Sequence, residues 1–413
     1  MPLNADQLKE LVAGDAVAIR GTATLEPAGG PGDKIFPPTH AVDDKKKPEP
    51  GAKYAFEKRR IGGQDATCVL IDSVQSQANR MEEALQTLWD EKKIALPIVS
   101  VDFSSVAPEV GRVTSLTAPH RIADALLRDS LLDGQLFRLS GIGKSFTEAS
   151  TRNATALFKV CPTGLVFGLW DSTGPNGGLG AKFQRALVSE IVGINAAHGS
   201  KTASRIDPLN IKKDATVLYK ASNSDEMWTA NPDEAEKDKE GQPVKVGKSE
   251  KAGKPSAVLH GNIAPDIDSV GGGVTIDEAR HTVVLSLASL RRLGFNTGAE
   301  EARTVLAALG LLAVFAAESR GHDLRSRCLL VPKKGSALKL EAVARDGSTT
   351  PINLDLAGAI ALYSEAVDKL PAGITFDMPA GVALAELQPS PKLADLVKKS
   401  RELAAAEADL GDA

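Results

Sequence analysis

The chain has 413 residues, 42% of them hydrophobic and 25% charged, with a formal net charge of -4. That balance excludes a wholly disordered, collagenous or coiled-coil protein. Only 4% of the residues are aromatic, so stacking of bases on aromatic platforms is not expected as a main mode of recognition.

No apolar run approaches the ~20 residues of a membrane-spanning helix, and the polar start Met1 to Glu10 has no apolar signal-peptide core. Cys68, Cys161 and Cys328 are an odd set without metal-type spacing. They point to a reduced, cytoplasmic protein with no disulfide framework and no zinc site.

Along the chain, Asp15 to Leu25 alternates small apolar and polar residues and is predicted as a strand. Residues 26–63 are rich in Pro and Gly and are expected to form a loop insertion. Ile71, Val74, Ala78, Met81, Leu85 and Leu88 recur at helical spacing and predict a helix within Cys68 to Asp90, capped by Asp72 or Ser73. Its polar side is expected to carry Gln75, Gln77, Asn79 and Arg80. Pro97 to Phe103 reads as a short strand and His120 to Leu132 as a second helix. Leu157 to Trp170 reads as a bent or paired strand. A Gly-rich loop, Asp171 to Gly180, is expected to open onto a helix from Ala181 to Val192.

Residues 223–257 are a charged insertion, with six acidic and six basic residues between Asp233 and Lys254, and are expected to be mobile. Further strands are expected at Thr282 to Leu290, Leu329 to Val331 and Leu338 to Ala344. Helices are expected at Glu300 to Arg320, Asp355 to Leu370 and Lys392 to Leu410. The whole reads as one elaborated domain, 1–413. Its core runs over 64–222, resumes at 258–345, and ends in a helical part at 346–413.

Charge is unevenly spread. Gly134 to Lys220 carries eleven basic and five acidic residues on an otherwise acidic chain, the footprint expected of a phosphate-binding segment. Gly143-Lys144-Ser145 resembles the end of a P-loop, but Arg138 stands where that motif needs glycine. No G-x-S-x-G elbow occurs. None of the six histidines has a second His or a Cys at metal-ligand spacing. Asp171 and Asp207 lie near the basic stretch, but nothing in the spacing pairs them as an acid and base. A binding or structural subunit therefore fits better than an enzyme.

Four segments together resemble a known family. They are Ile71-Asp-Ser-Val-Gln-Ser-Gln-Ala-Asn-Arg-Met-Glu-Glu-Ala-Leu85, Thr114-Ser-Leu-Thr-Ala-Pro-His-Arg-Ile-Ala-Asp-Ala125 running on to Ser130, Thr151-Arg-Asn-Ala-Thr-Ala-Leu157 continuing through Phe167-Gly-Leu-Trp-Asp-Ser-Thr-Gly-Pro175 to Glu190, and Gly199-Ser-Lys-Thr-Ala-Ser-Arg-Ile-Asp-Pro-Leu209. In combination the chain resembles the backbone subunit of type I-G (formerly I-U) CRISPR Cascade complexes, of the RAMP superfamily. The resemblance implies an α+β fold with an RRM-like (ferredoxin-like) palm and inserted finger and thumb loops. It implies several copies polymerising along one CRISPR RNA and presenting it to target DNA, beside other Cascade subunits and a helicase-nuclease recruited in trans. No catalysis, metal, cofactor or membrane is implied.

A guide-holding subunit needs backbone contacts and few base-edge contacts. The RNA-binding candidates are Gln75, Gln77, Asn79, Arg80, Lys144, Arg152, Gly177, Gly178, Lys182, Arg185, Lys201 and Arg205. Two alternatives stay open. One is a metal-dependent RNA endonuclease of the same superfamily, using Asp171 or Asp207. The other is a small-molecule enzyme using Gly174 to Gly180 as a phosphate loop.

Overall fold

Strand and helix signals of the first third lead directly into the main sheet. In the computed structural model the described residues are 3–42, 48–173, 181–223, 225–248 and 251–410. They divide into two compact units, Met1–Gly199 with Gly273–Leu393, and Ser200–Gly272 with Ala394–Ala413.

In the larger unit, the main sheet consists of β1 (Ala16–Pro27), β2 (Phe56–Ile61), β3 (Gln64–Asp72), β4 (Leu187–Ile194), β5 (Glu278–Ser286), β6 (His322–Arg325), β7 (Cys328–Pro332), β8 (Lys339–Ala344) and β9 (Thr349–Ile352). The order is β6-β7-β1-β5-β4-β3-β2, and every pairing is antiparallel. β8 pairs with the first half of β1 on the edge that β7 uses further along, and β9 adds to β8.

Side chains alternate across this sheet with the two-residue period of a strand. On β5, Ala279, His281, Val283 and Leu285 are buried, and their neighbours Glu278, Arg280, Thr282, Val284 and Ser286 are half-buried. Register places Ile19 and Leu187 beside Leu285, and Ala23 and Ile191 beside His281, so the buried residues share one face.

Four helices accompany the sheet: α1 (Ala5–Ala13), α2 (Val74–Asp90), α3 (Ala299–Glu318) and α4 (Leu356–Asp368). Helix α3 packs against α1, α2 and α4. It is buried nearly all round, which explains an apolar sequence with only a weak polar face. Gly310 brings its backbone close to the sheet, since a Cβ there would lie 3.3 Å from Leu285 Cδ1.

A second sheet in this unit runs Arg112–Thr114, Val99–Asp102, Ala385–Pro389, Ser130–Leu132, Gln135–Leu136. Ala385–Pro389 pairs in parallel with Val99–Asp102. The segment 346–413 is therefore not only helical; it contributes this strand and β9. The smaller unit holds a hairpin, Lys201–Arg205 with Ile263–Asp268. It also holds the charged segment, where bridges join Tyr219 to Thr229 and Lys245, and Ala221 to Ala235.

Four sequence expectations of local structure are corrected. The strand expected at Thr282 to Leu290 ends at Ser286, and Leu287–Arg291 is a short helix. Leu157 to Trp170 forms two short helices, Thr155–Val160 and Thr163–Phe167, and only its last two residues, Leu169–Trp170, are a strand. Ala181 to Val192 forms the strand Lys182–Phe183 and the start of β4 rather than a helix. The run from Leu157 is buried at nearly every position and so shows no single period, whereas the run from Ala181 largely alternates buried and exposed residues as a strand does. His120 to Leu132 breaks into a 3-10 turn, one helical turn and a strand. Asp124 restarts the chain by accepting from Leu126 N and His120 N, and Arg121 has a positive φ of 54°.

Residues 26–63 include the end of β1 and all of β2. Elsewhere that stretch is held by Ile35, whose backbone exchanges two hydrogen bonds with Val274. Tyr54 also holds it, its hydroxyl accepting from Gly273 N at 2.9 Å. All three cysteines are free and buried. Among the described residues no helix is long and apolar enough to cross a membrane.

Candidate nucleic-acid interface

Helix α2 starts because Ser73 accepts from Ser76 N at 3.2 Å, directly after β3 ends. One side faces α3 and the sheet. On the opposite side Gln75 and Asn79, one helical turn apart, are exposed and line a groove of about 1520 Å³ within the larger unit.

The facing wall comes from residues that are distant in sequence. Leu169 pairs with Phe183 and Trp170 with Lys182 in a two-stranded ladder. Gly168, at φ 89°, turns the chain into this ladder. Trp170 is 58% exposed, and Lys182 Nζ lies 5.3 Å from its ring centroid. Gln184 and Arg185 continue the wall toward Val188 on β4, and Ser289 and Arg292 close one end. Arg128 lines the other side. Its pKa is raised by its hydrogen bonds to Asp129.

The groove is therefore cationic and rich in amides. Arg185 is exposed, with no ion-pair or hydrogen-bond partner among the described residues. Partial desolvation and the nearby Arg121 hold its guanidinium below the ordinary value. Among the described residues the Arg292 guanidinium donates to Ser289 Oγ alone, at 3.1 Å. Such donors suit phosphate and sugar oxygens, which carry no sequence information. The exposed Trp170 face adds one surface on which any base can stack.

The structure sorts the twelve candidates. Gln75, Asn79, Lys182 and Arg185 are brought together in the groove. Gln77 is only 5% exposed and lies on the buried side of α2, not with Gln75 and Asn79. Its Nε2 donates to Asp72 Oδ2 at 2.7 Å and its Oε1 accepts from Ser189 Oγ at 2.9 Å. Arg80 turns to Asp72 and the Leu324 carbonyl, at 3.0 and 2.6 Å. Both therefore correct the expected polar side.

Lys144 and Arg152 are exposed outside the groove lining, although Thr151, beside Arg152, does line it. Lys201 and Arg205 belong to the smaller unit, where Lys201 pairs with Asp268 at 3.3 Å. Gly177 and Gly178 lie outside the described residues. Gly174 to Gly180 as a whole lie outside the described residues, and the described chain after them forms the strand Lys182–Phe183, not the expected helix.

The two carboxylates considered for metal chemistry are engaged in protein contacts. Asp171 is buried, and its Oδ1 accepts from Arg138, from Thr173 N and from Thr173 Oγ1. Burial works to raise the pKa of Asp207, but backbone N–H groups of Gly261, Leu209 and Ile211 outweigh it and hold it low. The two residues belong to different units.

Sequence reasoning missed His120, Arg128, Trp170, Gln184 and Arg292 in the lining. Only Lys182 and Arg185, four residues before Ser189, hinted at this wall. The tertiary ladder that adds Trp170 leaves no periodic trace.

Residues 19–198 match the model of a family described as CRISPR-associated protein GSU0053. The match covers a little under half of the chain and includes α2, the ladder and β4. No curated protein matches the chain. A solved structure, Csc2 of Thermofilum pendens, aligns with 95% of this chain and 79% of its own, at 11% identity and a TM-score of 0.27. At that score the alignment does not establish a common fold.

Proposed function

We propose that this chain is a non-catalytic backbone subunit of a CRISPR Cascade complex, of type I-G. It grips CRISPR RNA through sugar and phosphate and leaves the bases to pair with target DNA. The observation that carries the reading is the groove itself. Gln75, Asn79, Lys182, Arg185 and Arg292 converge on one channel with donors that do not discriminate bases. The CRISPR-associated likeness falls on most of the residues that build it.

The sheet supports an RRM-like palm within this reading. Taking β1, β4, β5 and the β7–β8 edge in chain order, the spatial order is fourth, first, third, second. Helix α2 lies between the first and second in sequence, and α3 between the third and fourth. The smaller unit, inserted between the second and third strands, then takes the place of a finger or thumb. Its Ile206, Leu209 and Ile267 are largely exposed, as expected of a surface that meets further copies or other Cascade subunits.

The test is to express the chain with its operon and sequence what co-purifies. The reading expects RNA of uniform length in a multimeric particle, and a helicase-nuclease that acts only as a separate protein. Nuclease-treated protein that binds no single-stranded RNA at about 50 mM salt, where phosphate contacts are strongest, refutes it.

A further inference from the structure

On the buried face of the main sheet, His281 of β5 points toward the end of α3 and the start of β6. There it meets Glu318, the last residue of α3, and His322, the first of β6. One ligand atom from each lies within 4.8 Å of the others. His281 Nδ1 is 3.2 Å and His322 Nε2 3.6 Å from Glu318 Oε1.

The hydrogen-bond chain behind His281 fixes its tautomer. Gln77 Nε2 donates to Asp72, which leaves Oε1 as an acceptor. Ser189 Oγ donates its single proton to that Oε1. Toward His281, 2.8 Å away, Ser189 can then only accept, so His281 Nε2 carries the hydrogen. In the neutral tautomer Nδ1 aims a lone pair at the Glu318 carboxylate, and among the described residues this buried atom has no hydrogen-bond partner. With the ring neutral, two acceptors face each other at 3.2 Å, a contact that either a proton on Nδ1 or a metal cation between them relieves.

We propose that the cation is a divalent metal of the zinc class, bound by His281 Nδ1, Glu318 and His322 Nε2. Ligands about 2.05 Å from zinc at tetrahedral angles are about 3.3 Å apart, and the two separations to Glu318 Oε1, 3.2 and 3.6 Å, bracket that value. Two imidazoles and a carboxylate are borderline donors suited to zinc. A ligating histidine whose other N–H is held by a neighbour is the usual arrangement around such a metal, and Ser189 provides it here. The Glu318 side chain is 20% exposed, so water can reach a fourth position. The metal joins the end of α3 to β5 and β6. The histidines stand 41 residues apart in sequence, which is why their spacing predicted no site; the one local trace is Glu318 and His322, four residues apart.

The experiment strips the full chain with chelator and titrates it with zinc alone, then with cobalt. Expected are one equivalent of tightly held zinc, a cobalt spectrum of four-coordinate intensity and a higher melting temperature with zinc. Glu318→Gln and His322→Ala are expected to weaken binding by more than about 100-fold. Ser189→Ala keeps all three ligands and is expected to weaken it about 10- to 100-fold. His120→Ala, in the groove, is expected to leave it unchanged. A folded wild-type chain that takes up no equivalent of zinc overturns the proposal. Zinc uptake that Glu318→Gln and Ser189→Ala leave intact overturns it too. If the ligand variants do not fold, the wild-type cobalt spectrum and Ser189→Ala decide. RNA binding plays no part in these readouts, so the result stands apart from the proposed function.

Discussion

Arg121 and Glu82 join the turn after His120 to helix α2 through two parallel hydrogen bonds, Nε to Oε1 at 2.6 Å and Nη2 to Oε2 at 2.7 Å. Both side chains are almost fully buried, and Arg121 also donates to the Gly168 carbonyl at 3.1 Å, where the groove wall begins. Losing one partner strands the other charge away from water. Arg121→Ala is expected to cost about 3–5 kcal/mol, seen as a lower urea midpoint. Replacing both, as Glu82→Leu with Arg121→Met, is expected to be milder than either single change, because no unpaired charge remains. Additive losses in the double variant count against this account.

Lys182, Arg185 and Arg292 are expected to make phosphate contacts, so their removal acts through counterion release. Each contact to a single strand contributes about 0.7 to the slope of log affinity against log salt. The triple alanine variant is expected to flatten that slope by about 2, measured by fluorescence anisotropy on unrelated single-stranded RNA sequences. The loss is expected to be similar for every sequence. An unchanged slope, or a loss confined to one sequence, removes these residues from the interface.

Trp170 separates stacking from charge. Its exposed ring is expected to contribute about 1–3 kcal/mol per stacked base. Trp170→Ala is therefore expected to lower RNA affinity at every salt concentration without changing the slope. Lys182 lies over the same ring, so the Trp170→Ala and Lys182→Ala effects are expected to be non-additive in a double-mutant cycle. Full affinity in Trp170→Ala shows that no base rests there.

The course of α2 and α3 was legible because each carries a sustained apolar period with a cap or a glycine at its end. β1 was legible for the same kind of reason. The helices at Thr155 and Thr163 were not, because nearly every residue there is buried and the apolar run has no single period; the strand at Leu187 was not, because its place is set by pairing on both edges. Half of α2's binding face was legible: Gln75 and Asn79 are separated by one turn and share a side. Gln77 was misplaced because the long apolar stripe concealed a buried polar chain from Asp72 to Ser189. Trp170, Arg292 and the His281 cluster come together only through strand pairing, which sequence spacing does not record.

Asp72 sorts the two sides of α2. Its fully buried carboxylate accepts from Ser76, Gln77, Arg80 and Arg325, at 2.7 to 3.2 Å. Removing it leaves two guanidinium groups without their counterion, although both retain some contact with water. Asp72→Ala is therefore expected to cost about 2–3 kcal/mol, less than breaking a fully buried pair. Arg80→Ala is expected to lower the urea midpoint while leaving RNA affinity unchanged at a temperature where the protein stays folded. Gln75→Ala with Asn79→Ala is expected to do the reverse, because those amides face the groove and have no hydrogen-bond partner among the described residues. If Arg80→Ala weakens RNA binding as much as the paired amide change does, then RNA reaches around the helix to Arg80, and the groove as drawn is too narrow a description of the interface.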